Sequence, residues 1–535
     1  MVANLFQLNI EGAGARMRKR VRRSAGALPV LMAIACSWLT GAAHAQGAAD
    51  LPMAPRALVA ALPGTSADRT GAKSLAGQSR PALSGPDVSR PDVPVRLAGD
   101  VAAERATPGA LPLGLDDAID RGLRHNLQVL LANETERSVR GQILSVHYEL
   151  LPNLKATGYT NAIELNLAAL GFKPSSLAAF GIKPGTFSEI VKVDTTNAQL
   201  SADQVLFNLT DFYLYAAAKK AANVATLNVL NTRGAVVLAV GTEYLAALAD
   251  QAQIANAQAL LTADEEVLRQ ATLSHDAGVG VNIDVLRARV QLQTEQQALV
   301  RAENTFAKDK IALDRLIGLP AEQDLSLTDT VPYAELAEMP LEQARALAYT
   351  RRKDLLGLEA QLEVVERARK AVKYERMPSL AFTGYYGVIG ETHGNYHGDF
   401  TAQGVLRIPI FEEGRFRGES EVAAAQEIGL RHQIESLRET VDQEIRASRL
   451  DVESSAELVK VARSNVDLAT QELSDTRDRF AAGVDDNLPV VQAQATLENA
   501  QSRLVATEFQ FNQAKLALAR NTGVVETQYK QYLGR

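Results

Sequence analysis

At 535 residues the chain is long enough for several domains, yet only 5% of it is aromatic, with one Trp and one Cys. A large globular core draws on more rings than this, whereas long Ala-, Gln-, Glu- and Leu-rich helices packed side by side do not need them. The formal charge of −7 argues against a nucleic-acid partner, since phosphate binding asks for a basic surface.

The first element is an export signal. Arg18, Lys19, Arg20, Arg22 and Arg23 precede an apolar run from Ala25 to Leu39, and Ala43-His44-Ala45 supplies a small-x-small cleavage site before Gln46. Residues 1–45 therefore read as a signal peptide, with Met17 a plausible start. The apolar run is too short for a membrane span. Lipidation at Cys36 is the rival use, but Ala33-Ile34-Ala35 lacks the Leu expected three residues before a lipobox Cys. Cleavage removes six basic residues and one acid, taking the charge from −7 to −12 and leaving no Cys. Stability must then come from burial or assembly, without disulfides.

Residues 46–110, rich in Pro, Gly, Ser, Ala and Arg, read as a disordered leader. The chain is then a duplication, residues 111–320 and 339–523, joined by a linker at 321–338 and followed by a tail at 524–535. "LPLGLDDAIDRGL" at Leu111 returns as "MPLEQARALAY" at Met339, and "YELLPNL" at Tyr148 returns as "YERMPSL" at Tyr374. "QVLFNLTDFYLYAAAKKA" at Gln204 returns as "RIPIFEEGRFRGESEVAA" at Arg407, Gly278 as Gly483, and Gly318 as Gly523. The first copy carries an insertion of about 22 residues by this alignment, containing "GFKPSSLAAFGIKP".

Within each copy the pattern predicts half-helix, strand, loop, strand, long helix, turn, half-helix. Asp116–Leu151 and Leu341–Met377 read as helices, each stopped by Pro. Asp211–His275 and Arg415–Ala481 read as single helices of nearly 100 Å at about 1.5 Å per residue. Asp284–Ile317 and Pro489–Asn521 are half as long, so two half-helices stacked end to end can line one long helix. Leu430, Ile434, Leu437, Val441 and Ile445 form a narrow seam that needs neighbours along its course. "SLAFTGYYGVI" and "GVLRIPI" alternate like membrane β-strands. With no apolar run long enough for a spanning helix, the mature chain can cross a bilayer only as a barrel, and four strands cannot close one.

These landmarks resemble the TolC-like outer membrane factors, the channel-tunnels of Gram-negative efflux and type I secretion. The resemblance runs from Leu113 to Gly523 and rests on "LPNL" and "MPSL", on "IPIFEEGR" at Ile408–Arg415, and on "RFAAGVDDNLPVVQAQ". The sequence departs from the pattern in its long leader, in the insertion, and in Asn208-Leu209-Thr210-Asp211 where the second copy has Glu412-Glu413-Gly414-Arg415. The resemblance implies a mainly helical chain with a membrane β-barrel: a homotrimer with four barrel strands per chain, set in outer-membrane lipid above a periplasmic helical tunnel. It also implies a periplasmic adaptor (membrane fusion protein) and an inner-membrane pump as partners, and places the two turns at the periplasmic tip.

Candidate site residues follow. Gly278 and Gly483 free the backbone where a long helix ends, and Asp284 and Pro489 suit helix starts. On the family reading Val279 and Val484 offer apolar knobs to the adaptor. Arg479 has two uses open to it, pairing across a closed tip or facing water. Asp485 and Asp486 either ring the pore entrance or serve only as turn and helix-start residues. His393 and His397 in "ETHGNYHGDF" read as loop residues and not as a metal pair. No catalytic constellation, phosphate loop or cofactor motif is present in the sequence. A periplasmic coiled-coil scaffold without a channel is the alternative reading.

Overall fold

The computed structural model describes residues 108–166, 168–169, 190–278, 280–330, 334–337, 339–482 and 484–534. The signal segment, Cys36, the leader to residue 107, the "GFKPSSLAAFGIKP" loop, Val279 and Gly483 lie outside the described residues.

The first repeat runs β1 (Leu111–Leu113), α1 (Leu115–His125), α2 (Leu127–Tyr148), β2 (Asn153–Asn166), β3 (Ile190–Phe207), α3 (Leu209–Asp276) and α4 (Asn282–Ile317). The second runs β4 (Leu325–Leu327), α5 (Leu341–Arg351), α6 (Lys353–Tyr374), β5 (Ser379–Glu391), β6 (Tyr396–Arg407), α7 (Glu413–Ala481) and α8 (Leu488–Asn521), with α9 (Val525–Leu533) following.

The two helices expected before the Pro stops are each broken in two. Asn126 has extended backbone between α1 and α2; its side chain accepts from the Gln128 amide at 2.9 Å and donates to the Leu316 carbonyl at 3.0 Å. Capping and a long-range bond together hold the break. Arg352 occupies the equivalent break between α5 and α6, its guanidinium bonded to Asp354 and Glu444. Apolar periodicity continues across both points, which is why the sequence reads them as uninterrupted.

α3, at 68 residues, spans about 100 Å. It packs against α2 and α4 on one side and α6 and α8 on the other, and α7 packs on α6 and α8. Among the described residues the layer therefore has two open edges, α2 with α4 and α7. Both edges expose apolar side chains, among them Val290 and Val300 on α4 and Leu450, Val461 and Leu468 on α7.

The expectation of no spanning-length apolar run needs correcting. α3 contains an 18-residue window of mean hydropathy 1.3, apolar enough to cross a membrane by composition. The apolar stretch Val236, Val237, Val240, Tyr244, Leu245 and Leu248 is core instead, buried with Leu113, Leu313, Leu516 and Leu533. β1 pairs in parallel with β4 beside this core. The linker at 321–338 thus contributes a strand, and the tail contributes α9, whose Tyr529, Tyr532 and Leu533 are buried. Both pieces are too short to announce themselves by periodicity.

The four long strands form one antiparallel sheet in the order β2-β3-β5-β6. One face aligns Leu200, Tyr386 and Phe400, then Ala198, Val388 and Gly398, then Ala202, Gly384 and Ala402. The other aligns Asp203, Thr383 and Gln403, then Ser201, Tyr385 and Thr401. Thr383 Oγ1 donates to Asp203 at 2.7 Å and the Tyr385 hydroxyl to Asp399 at 2.9 Å, so the polar face carries its own cross-strand bonds. None of the described residues covers the apolar face, with Tyr386 and Phe400 at 70% and 73% exposure. That is a sheet made to put one face against lipid. β6 stops at Arg407, short of the expected Ile410, because Pro409 has no amide to donate.

Candidate functional site at the helical tips

α3 ends as its glycine dictates. The Ala277 amide reaches the Leu273 carbonyl at 3.0 Å, and Gly278 takes φ +75°, a left-handed conformation that costs Gly nothing and an L side chain 1–2 kcal/mol or roughly so. Gly280 closes back on the Ser274 carbonyl at 2.9 Å, and α4 begins at Asn282 behind Val281. In the second turn the Val484 amide reaches the Arg479 carbonyl at 3.0 Å, the six-to-one closure of a helix C-terminus. Asp486 Oδ1 then accepts from the Leu488 amide at 3.1 Å, and Pro489 sits in the first turn of α8, where its missing amide is harmless.

The side chains tie these turns together. Arg479 Nε donates to Asp485 Oδ2 at 2.6 Å, and that bond holds the guanidinium proton more firmly than usual. Within this chain Arg479 pairs inside its own turn while its side chain stays largely exposed. Arg287 on α4 lies 3.5 Å from Asp284 and 3.6 Å from Asp486, bridging the two repeats. Asn487, fully buried, donates to the Asp284 carbonyl at 3.2 Å. Asp485 and Asp486 are thus each set beside an arginine. Val484 is 66% exposed, in the company of Val281, Ile283 and Leu286.

Arg287 and Asn487 were not singled out from the sequence. Asn487 carries a local signal, an Asn just before Leu488-Pro489; Arg287 carries only its i+3 spacing from Asp284. His397 lies on β6 opposite Ile389 and His393 in the turn before it. Among the described residues no group of three or more His, Cys, Asp or Glu could hold a metal ion.

About three helical turns above the tip, α3, α4 and α8 bring acids together inside an apolar layer that includes Val267, Leu473, Val490 and Leu497. Asp264 and Glu295 are 2% and 1% exposed. Gln494 Nε2 donates to Asp264 Oδ1 at 2.5 Å and Gln291 Nε2 to Glu295 Oε1 at 3.1 Å. Burial, with Arg477 opposing and Glu498 assisting, pushes Asp264 up to about 6. Burial first, then the charges of Glu498 and Asp264 and a hydrogen bond with Glu498, push Glu295 up to about 7.

The sequence matches the outer membrane efflux protein family over residues 118–319 and 344–524, through both long helical hairpins and the sheet between them. The chain belongs to that family. Membership places it in the outer membrane, and family and fold are those of efflux channels and not of enzymes. Among relatives, it is 25% identical over 356 residues to the alkaline protease secretion protein AprF of Pseudomonas aeruginosa, covering 64% of this chain and 72% of that protein. It is 24% identical over 299 residues to the pyoverdine export outer membrane protein OpmQ of Pseudomonas putida, covering 53% of this chain and 61% of that one. The Campylobacter jejuni CmeC outer membrane channel superposes with a TM-score of 0.67 at 13% identity, over 85% of this chain and 98% of CmeC. The outer-membrane channel OprN gives 0.65 at 16%, over 82% and 98%. At these identities the solved structures speak for the fold: long helices continuous with a sheet of barrel strands.

Proposed function

We propose that three copies of this chain close a twelve-stranded barrel on a tunnel of helices, and that the trimer is the outer-membrane exit duct of a tripartite export system. Cargo enters from an inner-membrane pump and a periplasmic adaptor and leaves to the exterior. The observation that carries the reading is that sheet and helical layer are both left open at their two edges. Among the described residues β2 and β6 each have an unpaired edge, and α4 and α7 each have an exposed apolar stripe. In hydrocarbon an open edge leaves amides and carbonyls without partners, at several kcal/mol for each group or so, and only closure with further copies removes it. The tips are the adaptor's docking surface. Val281, Ile283 and Val484 supply the apolar contact beside Gly278, Val279 and Gly483 join them on the sequence reading alone, and Arg479, Asp485 and Asp486 surround the mouth.

The test is to extract the protein from outer membranes and introduce cysteine pairs, one on β2 and one on β6, scanned across register. The mature sequence has no native Cys to interfere. Disulfide-linked species of three chains support the duct. A monomer that never crosslinks, or a protein absent from the outer membrane, overturns it.

A further inference from the structure

The interior of the tip bundle holds more acceptors than donors. Asp264 Oδ2, Glu295 Oε2 and Gln494 Oε1 are all buried and have no hydrogen-bond partner among the described residues. Gln494 matters most here, because its one side-chain nitrogen, Nε2, donates to Asp264 while its carbonyl oxygen Oε1 is left waiting for a donor from another residue. A buried acceptor without a donor costs about 1–3 kcal/mol, and the groups nearby that can become donors are the carboxyls themselves once protonated. Each helix contributes: Asp264 from α3, Gln291 and Glu295 from α4, Gln494 and Glu498 from α8, and Arg477 from α7 as the facing cation.

We propose that Asp264, Glu295 and Glu498 form a proton-operated latch that holds the α3–α4 hairpin against α8 while protonated and loosens it when the protons leave. A proton on Glu295 turns its contact with Glu498 from two facing carboxylates into an O–H donating to a carboxylate. A proton on Asp264 supplies a donor among oxygens that otherwise have none. Losing both protons to solvent leaves three negative charges on three helices, with Arg477 the cation facing them. The sign follows from the direction of the shifts. Groups whose folded values are raised to about 6 and about 7 bind protons more tightly folded than unfolded. Their contribution is full below the ordinary carboxylate range and is lost as pH rises to about 7. The latch concerns packing within one chain and goes beyond the duct reading; its consequence, a wider tip at neutral pH than in acid, rests on that reading.

Amide hydrogen exchange by mass spectrometry on the detergent-extracted full chain, followed from pH 5 to pH 8 and corrected for intrinsic rates, tests the latch. Protection in α3 near Asp264 and in α8 near Gln494 should fall by about tenfold or more, the change one unit of carboxyl shift transmits to an opening equilibrium. Protection around Val237 should stay flat. Glu295→Gln, which keeps a donor and cannot ionise, should remove most of the pH dependence, and Asp264→Asn part of it. Flat protection in the wild type overturns the latch even if neither variant folds, as does pH dependence that survives Glu295→Gln at its wild-type size. Protection restored at pH 8 by millimolar calcium or magnesium and lost again with chelator also overturns it, in favour of a cation site. Single-channel conductance over the same range separates the two readings: exchange that responds without conductance supports the latch and overturns its link to the duct.

Discussion

The side chain of Asn487 donates to the main-chain carbonyl of Asp284 at 3.2 Å, joining the start of α8 to the start of α4 across the two repeats. Because Asn487 is fully buried, its loss leaves that carbonyl without water to replace it. Asn487→Ala should cost about 1–2 kcal/mol of tip stability. The expected readout is longer open dwell times in planar bilayers at unchanged abundance in the outer membrane. Unchanged gating would mean the two turns are not coupled through this bond.

Gly278 tests the turn itself. A Cβ there would meet no atom within 4 Å, so substitution acts through φ +75° alone and not through crowding. Gly278→Ala should destabilise the tip by about 1 kcal/mol and the β-branched Gly278→Val by more. Limited proteolysis of the intact protein should show faster cleavage near residue 278, in that order, with the sheet unaffected.

The proposed role of Asp485 and Asp486 at the pore mouth is open to a charge test. With Arg479 and Arg287 paired to them, replacing both by Asn leaves the two arginines without these partners and makes the tip less acidic. The double variant should shift the reversal potential toward anion preference in a salt gradient. No shift would confine the pair to turn and helix-start chemistry.

Arg352 gives a pH dependence of the opposite sign to the latch. Burial would raise Asp354, but the hydrogen bonds and charge of Arg352 outweigh it and hold the carboxyl below its ordinary value. Its stabilisation is therefore present above about pH 4 and lost as pH falls through the folded value. Thermal unfolding should show that acid loss in the wild type. Arg352→Met, leaving Asp354 and Glu444 without their partner, should cost about 3–5 kcal/mol at neutral pH and abolish it.

The C-terminal helix should be indispensable. The Tyr529 hydroxyl donates to Asp116 at 2.6 Å and Lys530 reaches the same carboxylate at 2.8 Å, while Tyr532 and Leu533 are buried in the main core. Removing residues 525–535 forfeits the burial of several large side chains, about 1.5–3 kcal/mol each. Loss of the heat-modifiable oligomer from outer membranes is the expected result; normal assembly would show that α9 is dispensable.

The sequence was most informative where structure is dictated within a few residues. Gly278 ends α3 and Pro489 starts α8 where their chemistry requires, and the duplicated spacing carries the long helices between them. The alternation in β5 already separates Tyr386 and Val388 from Thr383 and Tyr385. The breaks at Asn126 and Arg352 escaped, because a single extended residue held by Leu316 or Glu444 leaves the apolar period unchanged. β4 and α9 escaped because three and nine residues are too few to show a period.

By itself, then, the order of residues determined the repeat, the helix lengths, the turns and the two-faced strands, since each depends on neighbours along the chain or on a period repeated many times. Only the tertiary structure decided that Asn487 meets Asp284, that Arg479 turns back to Asp485, and that Asp264 and Glu295 are buried together beside the half-buried Glu498. Such meetings depend on how helices far apart in sequence are set side by side, and an isolated Asp or Glu on a helix looks the same whether water or another carboxylate will face it.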